Sequence, residues 1–399
     1  MLGRTANDLY WLSRYIERAE NMARLVEVGY RIVLLPREGA GYHQEWRSTL
    51  QSTGCEAGYF AKYSELETRN VVNFLLFDPD NPSSVYSCLA RARHNARAQR
   101  TAVTRDMWES LNSSWIELAG LDTRDFAPNR LPHLLDWIKE RSALYRGALL
   151  NTILRNDTYY FSELGTFIER ADNTARILDV KYYVLLPQIE MIGTKIDNYQ
   201  WTAILRSVSA HRSYRWVYKE NVKPWRIAHF LILNKQMPRS LAYCYEEIPR
   251  ALEGLRSFYG SSFACQVTAA DTCRMLEFSD VNQIFQTGLH EFLQEFLTQN
   301  NRLASEISEA YHIVSRAESH ADLGAPCHAL HLRRPGAIRR AEPAADAAIF
   351  RRAVGQVLVA EGAGHRECRQ VSRCLRQSQP TGHHRRNARR GRGRGLGAG

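Results

Sequence analysis

The chain has 399 residues, 44% of them hydrophobic, which suits one large helical body or two to three ordinary domains. No run of about 18 apolar residues occurs, so the sequence offers no helical membrane span. The net charge of +11 suggests a polyanion partner only until it is located. Sixteen arginines, no lysine and five acids fall in residues 321–399, and residues 1–320 carry 37 basic and 37 acidic side chains. The body is neutral, and any argument for nucleic acid rests on the tail.

A first helix is expected from near Thr5 or Asp8, whose side chains can accept from free backbone N–H groups, to about Leu35, where Pro36 cannot continue it. Leu9, Leu12, Ile16, Ala19, Ala23 and Val26 form its apolar stripe at helical spacing. Within it, residues 15–28 read YIERAENMARLVEV. Residues 167–180 read FIERADNTARILDV, identical at eight of fourteen positions. The second stretch repeats the stripe with Phe161, Leu164, Ile168, Ala171, Ala175 and Leu178, and ends at Leu186-Pro187. Alanines at matching places suggest close helix contacts.

The duplication extends downstream. Trp46, Leu50, Ser52 and Tyr59 match Trp201, Leu205, Ser207 and Tyr214. FLLFD at 74–78 matches FLILN at 230–234, and Pro82, Ser84 and Cys88 match Pro238, Ser240 and Cys244. Each Pro-x-Ser reads as a helix entry with the serine as cap. The segments 91–115, 133–153 (with Leu134, Leu135, Ile138, Leu144 and Leu149) and 241–259 read as helices. Residues 281–314 read as one long helix or a broken pair, with Ile284, Leu289, Phe292, Leu293, Phe296 and Leu297 toward the core. No stretch alternates long enough for a strand. The expected fold is all-α: a helical bundle of two tandem repeats related by pseudo-twofold symmetry, at residues 1–155 and 156–316.

Residues 317–399 differ in kind, with no Trp, Tyr or Lys beyond Ser319 and a terminal run of Arg-Gly. Such a segment reads as disordered or as the product of an altered reading frame. It is a weak RNA signal, because no aromatics are interleaved to stack on bases.

The candidate functional residues are the matched polar positions Glu17, Arg18, Asn21 and Arg24 with Glu169, Arg170, Asn173 and Arg176. Three readings stay open. The first is a solvated face in which Glu20–Arg24 and Asp172–Arg176 form i,i+4 pairs worth about 0.2–0.5 kcal/mol each. In the second, the helices meet at a pseudo-twofold axis and Glu17 reaches Arg170 or Arg176 while Glu169 reaches Arg18 or Arg24, since guanidinium forks match carboxylates. The third adds a cleft for a substrate or peptide. Four carboxylates at i,i+3 spacing raise the question of a metal, but no Glu-x-x-His motif accompanies them, and neither metal nor cofactor is expected. His211 and His290 read as structural, Cys88 and Cys244 as buried small hydrophobes. No Gly-x-Ser-x-Gly, phosphate loop or zinc spacing is present. Scattered cysteines without Cys-x-x-Cys pairs, and residues 1–8 without an apolar leader, make a cytoplasmic location the expectation.

Leu9-Tyr10-Trp11, Ile16-Glu17-Arg18-Ala19-Glu20-Asn21, Phe167-Ile168-Glu169-Arg170-Ala171 and Thr174-Ala175-Arg176 resemble the bacterial alpha-E family, an all-helical domain named for its Glu-Arg motif. Segments 74–84, 230–240, 207–210 and 288–292 look like further landmarks, while His211-Arg212 departs from an expected Tyr-Glu. The resemblance covers residues 1–316. It implies a part in a peptide-synthesising or peptide-modifying system beside an ATP-grasp ligase and a transglutaminase-like protein, with peptide as a possible ligand. It assigns no catalytic residues, so whether the chain is an enzyme stays open.

Overall fold

The computed structural model describes residues 3–34, 42–121, 128–185, 195–219 and 221–313, all within one compact unit, Met1–Val354. The described residues are helical, with no strand among them. The tail expectation for 317–399 lies outside the described residues, as do Pro36 and the Leu186-Pro187 helix end.

Two long helices form the centre, α1 (Gly3–Val33) and, further along the chain, a helix over Asp157–Leu185. Between them lie α2 (Tyr42–Thr53), α3 (Glu56–Phe60), α4 (Thr68–Leu76), α5 (Val85–Ala98), α6 (Arg105–Ala119), a 3₁₀ turn at Pro128–Arg130, and α7 (Leu131–Thr152). The second central helix is α8, followed by α9 (Lys195–Ser207), α10 (His211–Tyr218), α11 (Pro224–Ile232), α12 (Leu241–Tyr259), α13 (Ala264–Phe278), α14 (Val281–Thr287) and α15 (Leu289–Ala310). The α1–α8 pair is the most extensive helix contact. Helices α5 and α7 cover α1, α12 and α15 cover α8, and α2 and α9 each touch both.

All twelve residues of the two apolar stripes are buried, as are the downstream landmarks Trp46, Leu50, Tyr59, Trp201, Leu205 and Tyr214. Close approach at the centre depends on small residues. A Cβ on Gly165 of α8 would lie 2.2 Å from the Tyr10 carbonyl oxygen of α1, so no larger residue fits without moving a helix. Helix starts follow local chemistry. Ser84 Oγ accepts from Ser87 N at 3.1 Å and opens α5, and Ser240 Oγ accepts from Tyr243 N at 3.0 Å and opens α12. Gly260, in the left-handed region, closes α12.

The sequence-based outline needs three corrections, at the start of α1, within 91–115, and at Leu144 and Phe292. The first helix begins at Gly3, and Asp8 is an interior residue whose carboxylate accepts from Gln99 Nε2 at 2.7 Å instead of capping. Segment 91–115 is not continuous: the chain turns after Ala98, and Thr104 caps α6 by accepting from Met107 N. Of the two readings for the segment from Val281, the broken pair is the one found, as α14 and α15, because Gly288 takes φ +117°, a conformation closed to other residues. Leu144, placed in the core by its spacing, is exposed, and Phe292 is only half-buried.

Candidate functional site: a buried arginine–carboxylate network

The polar side of α1 is not solvated. Glu17, Glu20, Asn21, Arg24 and Glu27 are all buried, as are Glu169, Arg170, Asp172 and Asn173 on α8. A helix enclosed by neighbours on every side has no face left for water, so its charges must find partners inside. The reading as a solvated face is therefore overturned, although both i,i+4 pairs form: Arg24 Nε and Nη2 donate to Glu20 at 2.9 and 2.7 Å, and Arg176 Nε donates to Asp172 at 2.6 Å.

The two Glu-Arg pairs bond across the helix contact. Arg18 donates to Glu169 through Nε at 2.5 Å and Nη2 at 3.0 Å, a bidentate geometry. Arg170 answers through Nε and Nη2, both 3.1 Å from the Glu17 carboxylate. Arg14 adds a third bond to Glu169, 2.8 Å from Nε. Arg24 Nη1 also donates to the carbonyl of Ser207, the last residue of α9, and to Ser209 Oγ. Arg176 Nη1 donates to the Ser52 carbonyl at the end of α2, 3.1 Å away. Asn21 Nδ2 reaches the Glu169 carbonyl at 3.3 Å. The structure thus brings Arg18 to Glu169 and Arg170 to Glu17, while Arg24 and Arg176 serve their own helices and the ends of α9 and α2.

Burial alone would push the Glu169 carboxyl up, but the guanidiniums of Arg18 and Arg14 outweigh it and hold the group well below the usual carboxylate range. The same contact raises Arg18 against its own burial.

Around Glu17 and Glu20 the network contains residues that the sequence reading did not single out. Arg146 of α7 bonds both carboxylates, and so does Arg239, from the turn before α12. Ser142 Oγ donates to Glu20 at 2.7 Å. Arg239 occupies the place where the first stretch has Ser83, so comparison of the two stretches by their agreement passed over it. Arg146 stands in the helical text of 133–153 with no matching arginine in the other stretch and no spacing signal to mark it.

A polar depression opens beside the α1–α8 contact, lined by Arg18, Asn21, Glu169, Asp172, Asn173 and Arg176 together with Met22, Leu25, Thr53 and Ser83. Guanidiniums occupy the carboxylate oxygens there, and among the described residues no group of three or more His, Cys, Asp or Glu is placed to share a metal ion.

The other singled-out side chains have ordinary surroundings. Cys88 and Cys244 are free and buried, and burial pushes each thiol up to about 12, which makes both poor nucleophiles. His211 starts α10, its pKa lowered by burial and by Arg206 and Arg215. His290 stacks on Tyr182 at 3.7 Å and its Nδ1 lies 2.6 Å from the buried Asp179 carboxylate, which Gln294 also contacts. One carboxyl outside the expected set is perturbed upward: Glu163 of α8, raised by burial and by Glu247 against the opposing pull of Arg170.

No helix among the described residues is long and apolar enough to cross a membrane. Residues 1–312 match the family model Alpha-E, described as "A predicted alpha-helical domain with a conserved ER motif". No curated protein and no solved structure gives a match.

Proposed function

The chain belongs to the Alpha-E family, and from that membership we propose an accessory, scaffold-type helical protein of a peptide-synthesising or peptide-modifying system. It acts in the cytoplasm with an ATP-grasp-type ligase and a transglutaminase-like protein, and holds them or their peptide. The observation that carries this reading is the internal consumption of the Glu-Arg pairs. Glu17 is fully buried and bonded by three arginines, and Glu169 is bonded by two. A catalytic acid or base needs a pKa near the working pH. Glu169 is held in the opposite direction. A network of this kind builds a rigid body, and function then falls to its surface, where Trp216 and Phe278 are 77% and 81% exposed.

The two-repeat organisation is part of the same proposal. Residues 1–155 and 156–316 are two copies of one helical unit, related by a pseudo-twofold axis between α1 and α8. The reciprocal bonds support it: Arg18 to Glu169 is answered by Arg170 to Glu17, and Arg24 to Ser207 by Arg176 to Ser52.

The test is co-purification of the tagged full chain with the ATP-grasp ligase of the same genome, together with the ligase's product in a strain lacking this chain. Stable association and a lost or altered product are expected. Absence of both association and effect overturns the proposal. The alternative, an enzyme acting on a peptide or amino-acid derivative in a cleft lined by Glu17, Arg18, Glu169 and Arg170, has weaker support, because the carboxylate oxygens it would use are already bonded.

A further inference from the structure

The charges around Glu17 and Glu20 do not balance. Four guanidiniums, of Arg24, Arg146, Arg170 and Arg239, converge on these two carboxylates. Every carboxylate oxygen is already taken: Glu17 Oε1 by Arg170 and Arg239, Glu17 Oε2 by Arg146 and Arg170, Glu20 Oε1 by Arg24 and Arg239, Glu20 Oε2 by Arg146 and Ser142. Arginine keeps its proton in a protein interior, so two positive charges are left over in a buried place. A further carboxyl, Glu163, acts on Arg146 and Arg170 through its field but forms no ion pair with them among the described residues. Glu27, the next acid along α1, is engaged by Arg31 and Lys139. Burial lowers the pKa values of Arg24, Arg146, Arg170 and Arg239, and repulsion from neighbouring guanidiniums adds to it at Arg24, Arg146 and Arg239.

A surplus of buried charge is costly unless a counter-charge comes to it. Access exists on one side, where the Arg146 side chain is 20% exposed and those of Arg170 and Arg239 are 10% exposed. The Nε–H groups of Arg146 and Arg239 also have no acceptor among the described residues. We propose that this cluster is a binding site for a small oxyanion, a phosphate or carboxylate group carried by a ligand, which enters between α7, α8 and the turn before α12. Guanidinium groups suit either chemistry, because their planar fork donates two parallel hydrogen bonds. The site is distinct from the cross-helix bonds at Glu169, and it does not depend on the partners proposed above.

The experiment is calorimetric titration of the full-length protein with inorganic phosphate, pyrophosphate and acetate, each at constant ionic strength, with chloride as control. Saturable binding of at least one oxyanion is expected, and a preference for phosphates or for acetate assigns the ligand's group. Arg146→Gln is expected to weaken that binding at least tenfold. Glu20→Gln, which removes a competing carboxylate, is expected to tighten it severalfold. The inference is overturned if the wild-type protein binds none of the three, or if chloride produces the same response. It is also overturned if a cooperatively folded Arg146→Gln protein binds as before, or a folded Glu20→Gln protein binds no more tightly.

Discussion

Two glutamates on α8, six residues apart, are set in opposite directions. Glu169 carries two guanidiniums and its carboxyl is held low, whereas Glu163 is raised by burial. The depressed group stabilises the fold at any pH above its unfolded value, near 4, and that share is lost as pH falls through the folded value. The raised group works the other way: its ionisation costs stability as pH climbs from the unfolded value to the folded one. Glu169→Gln is therefore expected to cost about 3–5 kcal/mol at neutral pH, because Arg14 and Arg18 would stay buried without their counter-charge. The gap to wild type should close as acid is added, which urea denaturation at several pH values would measure. Glu163→Gln is expected to be neutral or slightly stabilising at pH 7. At this scale the sequence is informative only in part. Agreement between two stretches picks out Glu17, Arg18, Glu169 and Arg170, whose partners become visible once α1 meets α8. Arg146 and Arg239 leave no trace in such a comparison, because the surroundings of Glu17 and Glu169 differ and the extra arginines stand at positions that do not repeat.

Among the helices, the tightest demand is at the crossing of α1 and α8. Gly165→Ala gains about 1 kcal/mol of intrinsic helix preference. It also places a methyl 2.2 Å from the Tyr10 carbonyl, and overpacking of that kind costs about 1–3 kcal/mol. A net loss is expected. Gly147→Ala in α7, where an added Cβ meets nothing within 4 Å, should instead stabilise by about 0.5–1 kcal/mol. Thermal melts of the two variants, measured together, separate crowding from propensity. Helix existence was legible because apolar periodicity and serine caps are local signals, as at Ser84 and Ser240. The turn at 99–104 was not, since no Gly or Pro marks it and the break depends on Thr104 capping a new helix. Nor was the enclosure of the charged side of α1, which exists only because α2, α5, α7, α8 and α9 all pack on that one helix.

For the described chain as a whole, the central pair is shared property: α1 comes from the first half, α8 from the second, and each buries charges that the other neutralises. A fragment of residues 1–155 would expose the Glu17 carboxylate without Arg170 and Arg239, and a fragment of 156–313 would leave Glu169 without Arg14 and Arg18. Neither fragment is expected to show a cooperative melt alone, whereas an equimolar mixture should recover helical signal and a single transition by circular dichroism. Two independent melts would refute this dependence. The guanidiniums of Arg24 and Arg176 carry the point further. Each closes the carbonyl end of a helix from the opposite half, Arg24 at Ser207 and Arg176 at Ser52. A shorter chain holding one half alone could obtain that closure only from the other half, in an assembly whose survival depends on concentration. Written into one polypeptide, the exchange no longer dilutes.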